Sequence, residues 1–82
     1  MITNRDLLKQ YQIFSNNIKI KRKEKNLTQE ELAELADLSI SYVKQIESCK
    51  DFKNLTLTTM LKLSKALDTT INNLFYNIDK SL

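Results

Sequence analysis

Two short amphipathic segments with only two residues between them constrain the fold of this chain more than any other feature. The first runs from Thr28 to Ala36 (TQEELAELA) and the second from Ser39 to Ser48 (SISYVKQIES), leaving Asp37 and Leu38 as the whole connection. A break that short does not let two helices return antiparallel in full contact. It fits a helix-turn-helix, in which the second helix is presented outward.

Helix signals flank this unit on both sides. Phe14 and Ile18 lie one turn apart, and Leu7 and Tyr11 extend their stripe backward, so a first helix starts at Arg5 or at Phe14 and runs to Lys25. Asn26 is a left-handed stop in place of glycine. Thr28 and Glu31 form a capping box, with Leu27 and Leu32 as a hydrophobic staple across it. Leu32, Leu35 and Ala36 make the expected buried stripe of the second helix, and Ala33 is small enough to admit the next one. In the third helix Ser39 is the N-cap, and Val43 and Ile46 face inward with Leu38. Ser41, Lys44, Gln45 and Ser48 lie on the opposite side, with Ile40 and Tyr42 on its shoulders. A polar connection, Cys49 to Asn54, leads to a fourth helix over Thr56 to Leu67 with Leu57, Met60, Leu61 and Leu67 on one side. Asp68 and Thr69 break it, and Thr70 caps a last helix carrying Ile71, Leu74, Phe75 and Ile78. The expectation is an all-α, compact five-helix domain spanning residues 1–82. Its core lies at about 14–78, and residues 1–13 form an N-terminal arm or a helix extension.

Composition narrows the function classes. Glycine, proline and histidine are absent, and Cys49 is the lone cysteine. Phosphate-cradling loops of the P-loop or dinucleotide type need glycine, a zinc finger needs more cysteine or histidine, and histidine acid–base catalysis has no residue to use. No catalytic set, metal or cofactor is expected. No apolar run reaches bilayer length and no secretory pattern opens the chain, so no membrane partner is expected and a cytoplasmic location is the simplest reading. The net charge is only +3, but Lys19, Lys21, Arg22, Lys23 and Lys25 cluster and Glu30, Glu31, Glu34 and Asp37 follow. That segregation suits one basic face. It also suits a solvated helix surface followed by acids placed favourably at a helix start.

In a helix-turn-helix the outward helix enters the DNA major groove. The segments RKEKNLTQEELAELA (Arg22–Ala36), SYVKQIES (Ser41–Ser48) and LTLTTMLKLSKALD (Leu55–Asp68) resemble, in order and spacing, the Cro/C1-type helix-turn-helix family, also called the Xre family. Small size, the NLTL segment and a short last helix also look like the controller proteins of restriction–modification systems. The resemblance implies a lambda-repressor-like domain that regulates transcription by binding double-stranded operator DNA as a homodimer, with RNA polymerase as a further possible partner. It implies base reading by Ile40, Ser41, Lys44 and Gln45. It implies phosphate contacts from Thr28, Gln29, Tyr42, Lys50 and Asn54, with Gln29 also bracing the recognition helix. Arg22 and Glu47 match a family ion pair. Tyr42 has a second reading, in which it packs sideways into the core. Met60, Leu74, Phe75 and Ile78 either close the monomer core or seal a two-fold interface. Three residues depart from the family pattern: Ile40 stands where a polar residue is common, Lys21 where an aliphatic one is, and Cys49 where glycine is. The competing reading is an antitoxin whose main partner is a toxin protein, with residues 1–13 as its only candidate partner segment.

Overall fold

The computed structural model describes residues 1–48 and 55–76. Five helices follow one another: α1 (Asn4–Glu24), α2 (Gln29–Ala36), α3 (Ile40–Glu47), α4 (Leu57–Ala66) and α5 (Ile71–Leu74). No strand occurs among the described residues. None of their helices is long and apolar enough to cross a membrane.

Hydroxyl residues start all five helices of the described residues. Thr3, Thr28, Ser39, Thr56 and Thr70 each accept a hydrogen bond from the backbone N–H three residues on, at 3.0–3.3 Å. Each satisfies one of the donors that a helix start leaves unpaired. Glu31 completes the expected capping box by accepting from the Thr28 N–H at 2.9 Å. A second box, Thr3 with Asp6, opens α1. There the Thr3 N–H and then its hydroxyl hold the Asp6 carboxyl below its ordinary pKa.

The stops solve the absence of glycine. Asn26, Asp37 and Asp68 adopt positive φ of 58°, 55° and 58° after α1, α2 and α4. All three ends carry the paired bonds of a Schellman motif. Leu27 N–H donates to Arg22 O and Asn26 N–H to Lys23 O; Leu38 to Ala33 and Asp37 to Glu34; Thr69 to Ser64 and Asp68 to Lys65. Asn and Asp tolerate the left-handed region better than other residues with a Cβ, so each break is sharp without glycine.

The core gathers Phe14 and Ile18 of α1, Leu32, Ala33 and Ala36 of α2, Val43 and Ile46 of α3, Leu63 of α4, and Leu67 and Leu74. Packed against it are Leu27 and Leu38, each just beyond a left-handed stop. α2 packs on α3 and α4, α1 on α3 and α5, and α4 on α5. Of the two starts expected for the first helix, the earlier one holds. α1 is continuous from Asn4 because the Thr3 box caps it and Tyr11 and Ile13 are buried on its inner side. Leu7, one turn earlier, is 44% exposed and only flanks the stripe.

Two expected stripes are corrected. Leu35 is 61% exposed. The buried arc of α2 is centred among Gln29, Leu32, Ala33 and Ala36, and at 3.6 residues per turn Leu35 falls about 110° from that centre. On α4, Leu57 (62%) and Leu61 (44%) are exposed, while Thr59, Leu63, Ser64 and Leu67 are buried. Two small polar residues are tolerated inside because their hydroxyls have partners. Thr59 Oγ1 accepts from Thr56 Oγ1 at 3.1 Å, and Ser64 Oγ donates to the Leu61 carbonyl at 2.9 Å. The arc is therefore centred on Leu63 rather than on the leucine-rich side. Leu35→Lys should accordingly leave stability within about 0.5 kcal/mol of wild type, whereas Leu32→Ala should cost about 2–5 kcal/mol. Urea denaturation midpoints measure both.

Candidate nucleic-acid interface

α3 is short, and its outward side is polar. Ser41, Lys44, Gln45 and Ser48 are exposed and Ile40 is half-buried. Helical geometry places all five within an arc of about 140°. The rest of the circumference carries Val43, Ile46 and Glu47, all buried.

Glu47 is the anchor of α3. Its Oε2 accepts from Arg22 Nε at 2.8 Å, and its Oε1 from Arg22 Nη2 at 3.0 Å and Gln29 Nε2 at 3.1 Å. Arg22 Nη1 donates in turn to the Leu27 carbonyl at 2.8 Å. The forked guanidinium meets both carboxylate oxygens, the geometry in which such pairs are strongest. One carboxylate thereby ties the last turn of α3 to α1, to the start of α2 and to the loop between them. A fourth tether comes from the far end of α1, where the Tyr11 hydroxyl donates to the Ile46 carbonyl at 3.4 Å. The ion pair expected from Arg22 and Glu47 is present. So is the bracing of the recognition helix expected of Gln29, which keeps a second amide hydrogen at the positive end of α2, where an anion is favoured. Thr28 beside it is exposed, with its oxygen accepting in the cap.

Other candidates sit differently. Tyr42 takes the sideways orientation: it is half-buried against the core and its hydroxyl donates to Thr59 Oγ1 at 3.4 Å. The Lys19–Lys25 run does not form one basic face, because successive residues turn about 100° around α1. Arg22 points inward, Lys21 Nζ lies 3.9 Å from Glu24 and Lys25 Nζ 4.0 Å from Asp68. Lys21 is half-buried. Lys50, Asn54, Ile78 and Cys49 lie outside the described residues.

Leu74 is wholly enclosed. It closes the monomer core and has no surface left for a two-fold interface, which corrects its expected place there. Phe75 is half-buried, its ring centroid 4.9 Å from that of Phe14. Together with Met60, Leu55, Leu7, Gln10 and Tyr11 it lines a groove of about 200 Å³.

Asn17 was not among the expected residues. Its amide donates to the Leu74 carbonyl at 2.8 Å and to the Tyr76 carbonyl at 2.7 Å. The signal was its register: three residues after Phe14 and four after Ile13, a polar side chain falls on the buried side of the helix.

A family model described as helix-turn-helix matches residues 18–74. The chain belongs to the Xre, or Cro/C1-type, helix-turn-helix family. Members similar to it include the control protein C.SmaI of Serratia marcescens, 36% identical over 77% of this chain and 73% of its own. The control protein C.MunI of Mycoplasma sp is 40% identical over 82% of this chain and 89% of its own. The crystal structure of the restriction–modification controller protein C.AhdI from Aeromonas hydrophila superposes with a TM-score of 0.71 at 36% identity, over 78% of this chain and 94% of that one. A hypothetical transcription factor from Neisseria reaches 0.78 at 26% identity, over 88% and 79%. The family match begins after Asn17, so most of the first four turns of α1 precede it.

Proposed function

We propose that this Xre-family protein is a sequence-specific transcriptional regulator of the restriction–modification controller type, acting in the cytoplasm as a homodimer on a symmetric operator. The observation that carries the reading is the outward polar arc of α3, held from beneath by Glu47, Arg22 and Gln29. Each subunit lays α3 in the major groove of one half-site. Ile40 meets a thymine methyl, and Ser41, Lys44 and Gln45 meet hydrogen-bonding base edges. Gln29, Thr28 and the α2 N-terminus take a phosphate and fix the register, with Lys50 and Asn54 as further phosphate contacts.

Homodimerisation would set two copies of α3 one DNA turn apart, about 34 Å. The exposed Leu57 and Leu61 and the half-buried Met60 and Phe75 supply apolar surface for it. RNA polymerase is the further partner such a regulator meets at a promoter. The names of the relatives, control and controller proteins, favour this reading over an antitoxin.

The test begins with duplexes selected from a random pool by the protein, followed by affinity measurements at rising salt. With about 6–10 phosphates neutralised per dimer, affinity should fall roughly 10³–10⁵-fold between about 50 and 200 mM salt. A pool that yields no common half-site, or equal affinity for selected and scrambled duplexes, would refute sequence-specific regulation.

A further inference from the structure

Tyr11 lies on the part of α1 that precedes the family match. Its hydroxyl donates to the Ile46 carbonyl at 3.4 Å, and the residue is 4% exposed. At about 100° per residue, Tyr11, Ser15 and Arg22 fall within an arc of about 40° on α1. Tyr11 and Arg22 both bond to α3, so this arc is the one that seats it. The two stand about 16 Å apart along the α1 axis, yet they hold adjacent residues of α3, Ile46 and Glu47.

The carboxyl end of α3 is closed differently from those of α1, α2 and α4. Those three stop at left-handed residues, whose paired bonds satisfy the last carbonyls. Ser48 ends α3 at φ −74° and ψ −14°, in the right-handed region. Side chains supply donors instead: Ser48 Oγ to the Gln45 carbonyl at 2.7 Å, and Tyr11 to that of Ile46. Val43 and Ile46 bury α3 against the core, but apolar contact has no direction of its own. Hydrogen bonds have one, and the Tyr11 and Arg22 tethers reach α3 from different stations of a single helix. One tether leaves α3 free to turn about it; the second opposes that turn. A roll of about 10° would move groups about 6 Å from the helix axis by about 1 Å, more than the tolerance of about 0.5 Å that a working recognition site allows.

We propose that Tyr11 is a positioning residue for base discrimination. Its hydroxyl sets the roll of α3, so that Ser41, Lys44 and Gln45 meet base edges at hydrogen-bonding angles. This rests on the sequence-specific DNA binding proposed above.

Tyr11→Phe keeps the buried ring and removes only the hydroxyl. Ser15→Ala is the matched control. It lies on the same arc of the same helix and is fully buried, and its hydroxyl has no hydrogen-bond partner among the described residues. Both variants are titrated with the selected duplex and with a scrambled one at a single salt concentration. Tyr11→Phe should bind the selected duplex about fivefold more weakly, within the net worth of one hydrogen bond, and the scrambled duplex within about twofold of wild type. Ser15→Ala should keep the wild-type ratio of the two affinities. General destabilisation lowers the folded fraction equally for both duplexes, so the ratio separates the aim of α3 from the stability of the fold. A wild-type ratio in Tyr11→Phe would overturn the inference. So would an equal fall in Ser15→Ala, or failure of Tyr11→Phe to fold. A wild-type chain that binds both duplexes alike would instead sink the sequence-specific reading itself, and this inference with it.

Discussion

Arg22→Ala is expected to cost about 3–5 kcal/mol of folding stability, the loss that follows removal of one partner of a buried ion pair. The Glu47 side chain is 2% exposed, and Arg22 supplies two of the three donors described for its carboxylate. Removing the guanidinium strands a buried charge, which costs about 3–5 kcal/mol. A chain of this size is stable by roughly 4–12 kcal/mol in all, so the loss takes much of the margin. Glu47→Ala should be milder. The Arg22 side chain is 11% exposed, closer to water, and keeps the Leu27 carbonyl as a partner. The double replacement Arg22→Met with Glu47→Leu should recover most of the stability, since apolar residues of similar volume often replace a buried pair at no net cost. It should not recover operator affinity, because Gln29 loses its acceptor and α3 its tether. Urea denaturation of the three variants, with operator titration of the double one, checks these expectations. An Arg22→Ala midpoint equal to that of wild type would show that Glu47 finds water or another donor.

The second large effect is expected on binding. Lys44 and Gln45 are exposed on α3, so replacing both with alanine should change stability by no more than about 0.5 kcal/mol. Each side chain that makes a bidentate base contact should cost about 1–3 kcal/mol of operator affinity when removed. The pair together should therefore weaken operator binding by at least about 30-fold. Binding to scrambled duplex should change far less, because phosphate contacts carry that term. Equal losses on both duplexes would assign Lys44 and Gln45 to the backbone and end their role in base reading.

What could be read from the residues alone followed local chemistry. Thr28 with Glu31 announced the start of α2, and Asn26 the end of α1, because caps and left-handed stops depend on one or two neighbouring side chains. Asp37 and Asp68 were read as breaks. Their positive φ was not foreseen, since aspartate takes that region less obviously than asparagine does. The Arg22–Glu47 pair came from resemblance; periodicity alone does not join residues 25 apart. Packing direction was harder to read. Leu35, Leu57 and Leu61 looked internal because leucine usually is. Which arc of a short helix turns inward depends on its neighbours, and here Thr59 and Ser64 took the inner places. The Asn17 clamp was hidden for the same reason: its acceptors are main-chain carbonyls 57 and 59 residues away, and no side-chain pattern marks them.

The anchoring of α3 carries one further consequence. Every bond described for Glu47 lies beneath the helix, and none involves Ile40, Ser41, Lys44 or Gln45. Aim and vocabulary are therefore separable in this molecule. Under the proposed function, exchanging the exposed Ser41, Lys44 and Gln45 would alter which half-site is preferred while the helix kept its tilt, so a lineage could drift from one recognition word to another without passing through an unfolded intermediate.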